Sequence, residues 1–281
     1  MQVANNENEL LKIKDNLVLG SLPKMNNSKI MFYGENNILY CEDSVTLSDS
    51  VLEFGASNSI IFLRSSSHKY RLLATVFNNS TIYIDKDDYF NEPLDIIVSE
   101  ETNLVIGRDS MFSKGVSIMT TDHHPIYDVN TLERINHAKS IYIGDHVWIG
   151  QDSTILKGTK IDSGSIIGAS SVVAGLSIPN NTIYAGNPAQ LIKEDTFWNG
   201  ASTHKWVRGV ENSSSYEGNP EDYKFDLDDS ERLDYADIEG YLNRCNSKEK
   251  CEFLQILSKN SKKNRFVHFA KEKNKVKKFN E

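Results

Sequence analysis

Cysteine is scarce in this chain of 281 residues: the three are Cys41, Cys245 and Cys251. They are too few and too scattered for a disulfide framework or a zinc knuckle, so we expect reduced thiols. The sequence also lacks a run of about 18 apolar residues, so we expect no membrane-spanning helix. The N-terminus is polar and acidic, without the basic start and apolar stretch of a signal peptide. We therefore expect a cytoplasmic protein.

Acidic residues outnumber basic ones over most of the chain, and basic residues are concentrated at its C-terminal end. The net charge is −8, yet residues 261–281 contain eight Lys or Arg and only two Glu. A basic tail of this kind is suited to an anionic membrane leaflet or a polyanionic acceptor. A solvated tail that only aids solubility explains the pattern as well. No nucleic acid partner is expected.

The most informative stretch is residues 141–178, where an aliphatic residue recurs at every sixth position. The repeated residues are Ile143, Ile149, Ile155, Ile161, Ile167 and Val173. Four residues after each stand mostly small or β-branched residues, namely Val147, Ser153, Thr159, Ser165, Ser171 and Ser177. Neither a helix, with its period of 3.6, nor a simple strand, with its period of 2, explains a strict six. A solenoid of short strands does, because each step adds one side chain to an interior column.

The same frame is visible earlier in the chain in a less regular form. Ile106, Phe112 and Ile118 repeat the step of six. Before them, four asparagines precede short apolar segments at intervals of 21, 21 and 24 residues: Asn37, Asn58, Asn79 and Asn103. Because Asn tolerates a left-handed backbone, we expect these asparagines at the corners of coils. Residues 28–120 are thus predicted to form degenerate coils and residues 141–178 regular ones.

Two interruptions suggest the domain organisation. Residues 121–140 break the six-residue step, and an excursion of this length is usually functional or disordered. After Ile183 the sequence YAGNPAQLIKED predicts a tight turn and then a short helix. We expect an N-terminal cap over 1–27, a solenoid over 28–193, and over 194–281 a mainly helical extension with the basic tail. Helices are predicted near 229–244 and 247–260.

Four motifs, DHHPIYD, IGDHVWIG, IIGASSVV and YAGNPAQLIK, resemble those of the hexapeptide-repeat acyltransferases. The similarity is greatest to capsular-polysaccharide and sialic acid O-acetyltransferases, and it is close over residues 100–195. It implies an all-β fold, a left-handed parallel β-helix with an extruded catalytic loop. It also implies acetyl-CoA as cosubstrate without a metal, a carbohydrate acceptor, and a homotrimer with active sites between subunits.

The resemblance also implies site residues. The segment Thr121–Pro125 matches the family's catalytic loop, which makes His124 the general base that takes a proton from a sugar hydroxyl. The adjacent His123 is the alternative. The match places the backbone N–H of Gln151 against the thioester oxygen and Trp148 along the acetyl and pantetheine channel. Positions matching the family's CoA contacts are Gly150, Gly168, Ala169, Ala185, Gly186, Asn187, Pro188 and Lys193.

Candidate acceptor-binding residues lie on the loop itself. Their side chains can hydrogen-bond a polyhydroxylated sugar, and they are Asp122, His123, Tyr127, Arg134 and Asn136. Arg134 would suit the carboxylate of an acidic sugar such as sialic acid. The alternative is that Arg134 ties the loop to Asp128 or Glu133.

Three other functions remain open at this stage. Carbonic anhydrases of the γ type resemble this fold as well, and they bind a metal through three histidines. The histidines of this chain do not have the spacing of that site. They are His123, His124, His137 and His146. A non-catalytic scaffold or carbohydrate-binding module would not need the loop histidine together with VWIG and AGNPA. An N-acetyltransferase of an amino sugar would use the same fold and donor, so only acceptor assays separate it from the O-acetyltransferase.

Overall fold

Three β-sheets run along the molecule, one on each side of a coil with a triangular cross-section. The computed structural model describes residues 1–207 and 215–269. The chain passes through the three sheets in a fixed order, which we call face A, face B and face C. Almost all neighbouring strands are parallel, so each coil lies directly on the previous one.

The strands of the three faces are as follows. Face A contains Gln2–Ala4, Lys29–Phe32, Val51–Phe54, Leu72–Val76, Leu94–Val98, Ser117–Met119, Thr154–Leu156 and Val172–Ala174. Face B contains Leu17–Gly20, Ile38–Cys41, Ile60–Leu63, Thr81–Ile84, Asn103–Ile106, Ile141–Ile143, Lys160–Ile161 and Ser177–Ile178. Face C contains Tyr89–Phe90, Met111–Phe112, Trp148–Ile149, Ile166–Ile167, Ile183–Gly186 and Ala189–Lys193. A separate pair, Lys24–Asn26 and Thr46–Ser48, precedes these.

The step of six is confirmed as a path around the triangle. Ile143 lies on face B, Ile149 on face C and Ile155 on face A, and all are fully buried. Ile161, Ile167 and Val173 repeat the same circuit one coil later and are also fully buried. The aliphatic side chains of successive coils therefore stack in three interior columns, and burial of these columns is the main source of stability.

Small hydroxyl residues close the corners between faces. Ser153 donates its hydroxyl hydrogen to the Gly168 carbonyl at 2.9 Å, and Ser165 donates to the Pro179 carbonyl at 2.7 Å. Both serines are fully buried, so these bonds satisfy backbone oxygens that have no strand partner at a corner. Ser177 departs from the pattern because it is exposed, and Ile178 follows Val173 after only five residues. The regular repeat ends there.

The asparagine prediction is half right. Asn58 and Asn79 have left-handed backbones, with φ of 60° and 55°, at corners as expected. Asn37 and Asn103 do not, and both are fully buried. The Asn37 side chain instead donates to the Ala56 carbonyl at 2.8 Å, which joins neighbouring coils. The prediction misplaced these corners by one or two residues, because the left-handed positions there are Asn36 and Glu101.

Two ends of the solenoid differ from expectation. Its first coil begins before residue 28, because Leu17–Gly20 pairs in parallel with Ile38–Cys41. At the other end Ala189–Lys193 is not a short helix but a strand, antiparallel to Ile183–Gly186. The last parallel strand of face C would otherwise leave its edge unpaired, and this strand supplies the missing hydrogen bonds.

The C-terminal extension covers the outer surface of face B. It contains a 3₁₀-helix, Pro220–Tyr223, and two α-helices, Tyr235–Leu242 and Ser247–Leu257; a short helix at the N-terminus spans Glu7–Leu10. Outward side chains of face B, including Phe62, Tyr83 and Tyr142, pack against residues of the α-helices and Phe266. Face B is thus buried on both sides, like a strand layer inside an α/β protein. In the described residues no helix is long and apolar enough to cross a membrane.

A buried arginine fastens this extension to the solenoid. The Arg265 guanidinium is 1% exposed and donates to Asp85 at 2.6 Å and to Asp145 at 2.7 and 3.0 Å. The expectation that residues 261–281 form a solvated basic tail is therefore wrong for Arg265, whose charge is neutralised inside the fold. The lysines from Lys271 onward lie outside the described residues.

Replacing Arg265 with Ala removes one cation from each of two buried carboxylates, while Arg64 stays paired with Asp85 and Arg108 with Asp145. We therefore expect the free energy of unfolding to fall by about 3 kcal/mol. Arg232→Ala is the matched control, since its ion pair with Asp229 lies at the surface and is worth less than about 1 kcal/mol. Urea denaturation followed by circular dichroism measures both variants. Equal, small losses would show that Arg265 does not hold the extension.

Candidate active site

The excursion over residues 121–140 is a hairpin that leaves the solenoid between face A and face B. The two sides pair at Tyr127 and Arg134, with Ile135 N–H donating to the Ile126 carbonyl at 2.9 Å. At the tip, the Asp128 carboxylate accepts the N–H groups of Asn130 and Thr131. The excursion therefore has an ordered structure of its own.

A tight turn at the start of the hairpin presents the two histidines. His123 has a left-handed backbone, with φ of 64°, and the His124 N–H donates to the Asp122 carbonyl at 2.8 Å. This bond spans only three residues, which makes the segment a γ-turn with a strained central residue. The turn points His123 and His124 outward, and both side chains are exposed.

The base of the hairpin is held by a network centred on Asn136, which is buried. Its amide donates to the Asp122 carboxylate at 2.9 Å and to the His124 carbonyl at 2.8 Å. Asn136 was predicted to contact the acceptor, but its side chain is used within the loop. Tyr127, by contrast, is 58% exposed and free to meet a substrate.

Arg134 has a partner that the sequence did not suggest. It forms two hydrogen bonds with Glu100 of the preceding coil, at 2.7 and 2.9 Å, rather than pairing with Asp128 or Glu133. Hydrogen bonding from Arg134 is the main reason that the pKa of Glu100 is lowered. An acceptor carboxylate would have to displace Glu100 to reach Arg134, so the structure gives Arg134 an attachment role instead.

Asp122 is attached to the following coil. The Lys157 ammonium lies 2.5 Å from the Asp122 carboxylate and 3.0 Å from the Asn136 carbonyl. The hydrogen bond from Lys157 is the largest cause of the lowered pKa of Asp122, partly opposed by desolvation. Together with the Arg134–Glu100 pair, this contact ties the hairpin to the coils on either side of it.

The predicted donor site lies at a different corner, where face C passes into face A. Strand register places Gln151, Ala169 and Gly186 at equivalent positions of three successive coils, and all three are exposed. The Gln151 N–H donates to no other residue within 1–207 and 215–269. A column of small, exposed residues leaves the backbone open to an extended ligand such as the pantetheine arm.

Coil packing explains the glycines at this corner. A Cβ atom on Gly150 would lie 2.6 Å from the Ala169 nitrogen, and one on Gly168 would lie 2.7 Å from the Ala185 Cβ. A Cβ atom essentially never lies within 3.0 Å of such a neighbour, so these positions need glycine for the coils to stack. Asn187 and Pro188 are exposed just beyond, and Lys193 is exposed on the final strand.

Trp148 stands beside this corner on the outer surface of face C. Its indole N–H donates to the Ser113 hydroxyl at 3.2 Å, and its ring centre lies 6.1 Å from that of Trp198. Trp198 in turn stacks on His146 at 4.0 Å. Trp198 was not predicted as part of the site, although the aromatic-rich segment FWNG was the available signal.

His124 and Gln151 are not brought together within one chain. The Asp122–Lys157 contact holds the histidine loop where face A passes into face B, and Gln151 lies at the opposite end of the same face. Strand geometry puts a separation on the order of 15 Å between them. The predicted base and the predicted oxyanion donor of one chain therefore do not meet in a single site.

The histidines considered for a metal are also dispersed. His146 lies between face B and face C, where its ring nitrogens contact Asp109 at 2.7 Å and the Trp198 carbonyl at 2.9 Å. His123 and His124 lie on the hairpin. Within the described part of the chain, no group of three or more His, Cys, Asp or Glu side chains is arranged to hold a metal ion.

Lys157→Met should return the pKa of Asp122 toward its ordinary value of about 3.9, because the main cause of the lowering is removed. A carboxylate with a lowered folded-state pKa stabilises the fold above its unfolded pKa, and this contribution disappears as pH falls through the folded value. Carboxyl NMR titration measures the change. Lys139→Met is the control and should leave Asp122 unaltered; an unchanged pKa in Lys157→Met would contradict the attachment.

The chain is similar in sequence to known bacterial acetyltransferases. The family described as bacterial transferase hexapeptide (six repeats) matches residues 140–175. The polysialic acid O-acetyltransferase of Neisseria meningitidis is 28% identical over 186 residues, which cover 66% of this chain and 86% of that protein. WbbJ of Escherichia coli K12, provisionally named a lipopolysaccharide biosynthesis O-acetyl transferase, is 34% identical over 150 residues, covering 48% and 72%.

The crystal structure of the polySia-specific acetyltransferase NeuO is also similar. It superimposes with a TM-score of 0.59 at 31% identity, covering 68% of this chain and 87% of that one. The chain therefore belongs to the hexapeptide-repeat acetyltransferases, left-handed parallel β-helix enzymes, and lies close to the sialic acid O-acetyltransferases among them.

Proposed function

We propose that this enzyme transfers the acetyl group of acetyl-CoA to a hydroxyl of a sialic acid-containing cell-surface polysaccharide. The observation that carries the proposal is the exposed His124 on a hairpin fastened to two coils, in the motif shared with the family. The acceptor class is supported by the Neisseria relative, which is named a polysialic acid O-acetyltransferase, and by NeuO, which is named a polySia-specific acetyltransferase. Use of acetyl-CoA and the reduced cysteines favour a cytoplasmic reaction.

The donor would lie along the corner formed by Gln151, Ala169 and Gly186. The exposed backbone there can hydrogen-bond the amides of the pantetheine arm, while Trp148 forms one wall. Lys193, on the final strand just beyond the column, is exposed and can contact a CoA phosphate. This placement puts the thioester carbonyl near the unpaired Gln151 N–H.

The proposed reaction uses the His124 imidazole as the base and the Gln151 N–H as the oxyanion donor. The neutral imidazole of His124 removes the proton from the acceptor hydroxyl as its oxygen attacks the thioester carbonyl carbon. Negative charge develops on the carbonyl oxygen, and the Gln151 N–H is a fixed donor that stabilises it. The intermediate collapses by breaking the carbon–sulfur bond. The histidinium returns its proton to the departing CoA thiolate, which leaves the acetyl ester and free CoA.

A second chain is needed for this reaction, because one chain separates His124 from Gln151 across face A. In a closed ring of identical subunits, the hairpin of one copy can reach the donor corner of the next. Face B is covered by the C-terminal extension, so faces A and C are the ones available for contact. We therefore propose a homotrimer whose active sites lie between subunits.

The direct test is thiol release from acetyl-CoA with a panel of acceptors: polysialic acid, sialic acid, neutral sugars and amino sugars. Release that requires polysialic acid, with an ester product labile to mild alkali, supports the proposal. An alkali-stable amide formed only with amino sugars would identify an N-acetyltransferase instead. Failure to bind acetyl-CoA would indicate a non-catalytic solenoid.

His124→Ala removes the base and should lower kcat by about 10²–10⁴-fold. His124 is exposed, and its imidazole makes no hydrogen bond to residues 1–207 or 215–269, so we expect the melting temperature and the acetyl-CoA affinity to remain close to wild type. His123→Ala is the neighbouring control, with a much smaller loss. Thiol release and isothermal titration measure the two properties, and unaltered turnover in His124→Ala would refute the assignment.

Mixed assemblies test whether the site is shared. His124→Ala damages the base, and Ala169→Trp fills the exposed donor corner, so each homogeneous protein should be inactive. In a 1:1 mixture refolded together, about a quarter of the sites would combine an intact hairpin with an intact donor corner. Recovery of activity toward that fraction supports a site between copies. No recovery, in mixtures shown to contain both chains, would contradict it.

A further inference from the structure

We infer that Asn136 is a positioning residue for the general base. It holds the backbone on both sides of Pro125 and so fixes where His124 can place its imidazole. The inference rests on the proposed function of His124. It assigns to Asn136 a role different from the acceptor contact that its position in the loop first suggested.

The geometry of the Asn136 amide is the first argument. Its Nδ2 group donates to the His124 carbonyl at 2.8 Å, and its Oδ1 accepts from the Ile126 N–H at 2.7 Å. These two bonds bracket Pro125, one residue on either side. The same amide also donates to Asp122 and accepts from Arg134 Nε at 3.2 Å. Its hydrogen-bonding capacity is therefore used entirely within the loop.

Burial is the second argument. Asn136 is 7% exposed, although almost every neighbour on the hairpin is exposed. A buried amide makes stronger hydrogen bonds than an exposed one, and breaking them leaves unpaired groups. Thr121 and Ser140, at the two ends of the loop, are buried as well, so Asn136 is the shielded side chain that contacts the main chain at His124.

The need for such support follows from His124 itself. Its imidazole makes no hydrogen bond with any residue in the described ranges, so only its backbone limits where the ring can go. A general base must lie within hydrogen-bond reach of the hydroxyl that it deprotonates. A displacement of about 1 Å from productive geometry can cost about 10²-fold in rate.

Asn136 also transmits the rigidity of the solenoid to the loop. Its carbonyl accepts from Lys157 of the next coil at 3.0 Å. Arg134, which donates to Asn136, is paired with Glu100 of the preceding coil. The backbone at His124 is therefore joined to two stacked coils through Asn136, in addition to its own N–H bond to Asp122.

The experiment compares Asn136→Ala and Asn136→Asp with wild type in the thiol-release assay. The Asp side chain keeps the acceptor for Ile126 but cannot donate to the His124 carbonyl. For both variants we expect kcat to fall about 10–100-fold, with KM for acetyl-CoA unchanged because the donor corner lies across face A. Asn130→Ala, at the exposed hairpin tip, is the matched control and should keep the wild-type rate.

A double variant separates positioning from independent action. If Asn136 works through His124, adding Asn136→Ala to His124→Ala should lower turnover no further. Additive losses would overturn the inference, as would wild-type kcat in either Asn136 variant. Full activity in His124→Ala would refute the proposed base and its positioning together. Loss in His124→Ala with wild-type rates in the Asn136 variants would refute the positioning alone.

Discussion

Stacking of interior side chains in register is the constraint on which the structure depends. Each coil must place one side chain on each of three columns, and this fixes the length of the strands and the location of every corner. Ile143, Ile149 and Ile155 show the circuit in its regular form. Since the columns tolerate no interruption, extra residues can be accommodated only at corners. The hairpin that carries His124 is such an insertion, between two strands that remain in register.

The same stacking constraint keeps the His124 hairpin and the Gln151 corner apart within one chain. The hairpin leaves from one end of face A, and the open backbone at Gln151 lies at the other end. Neither can move along the face without breaking the columns. Cooperation between them in one site thus requires a second copy of the chain, and the covered face B limits which surfaces that copy can meet.

The regular coils could be predicted because a step of six is explicit in the sequence. The final strand Ala189–Lys193 could not, since it forms to satisfy the edge of face C rather than from its own pattern. The position of the C-terminal extension could not be predicted from the sequence either. Arg265 is one of many basic residues near the C-terminus, and only the fold places it beside Asp85 and Asp145. A hint was present in strands such as Ile60–Leu63 and Ile141–Ile143, whose side chains are apolar on both sides of the strand.

For the site, the motifs were sufficient to propose His124, Trp148 and the exposed corner. They could not reveal how the hairpin is held, because its partners Glu100 and Lys157 come from other coils. Arg134 illustrates the difference: an arginine on a loop suggests an anion site, but coil stacking places the Glu100 carboxylate against it. Residues that position a site are set by long-range contacts, and local sequence does not encode those contacts.

The most direct measurement is a crystal structure of the assembled enzyme with CoA and an acceptor oligosaccharide. The account predicts the CoA sulfur near Gln151 N–H of one subunit and the imidazole of the partner subunit's His124 within about 3 Å of an acceptor hydroxyl. It would be contradicted by a sulfur atom bound away from this corner. A hydroxyl approached by a residue other than His124 would contradict it equally.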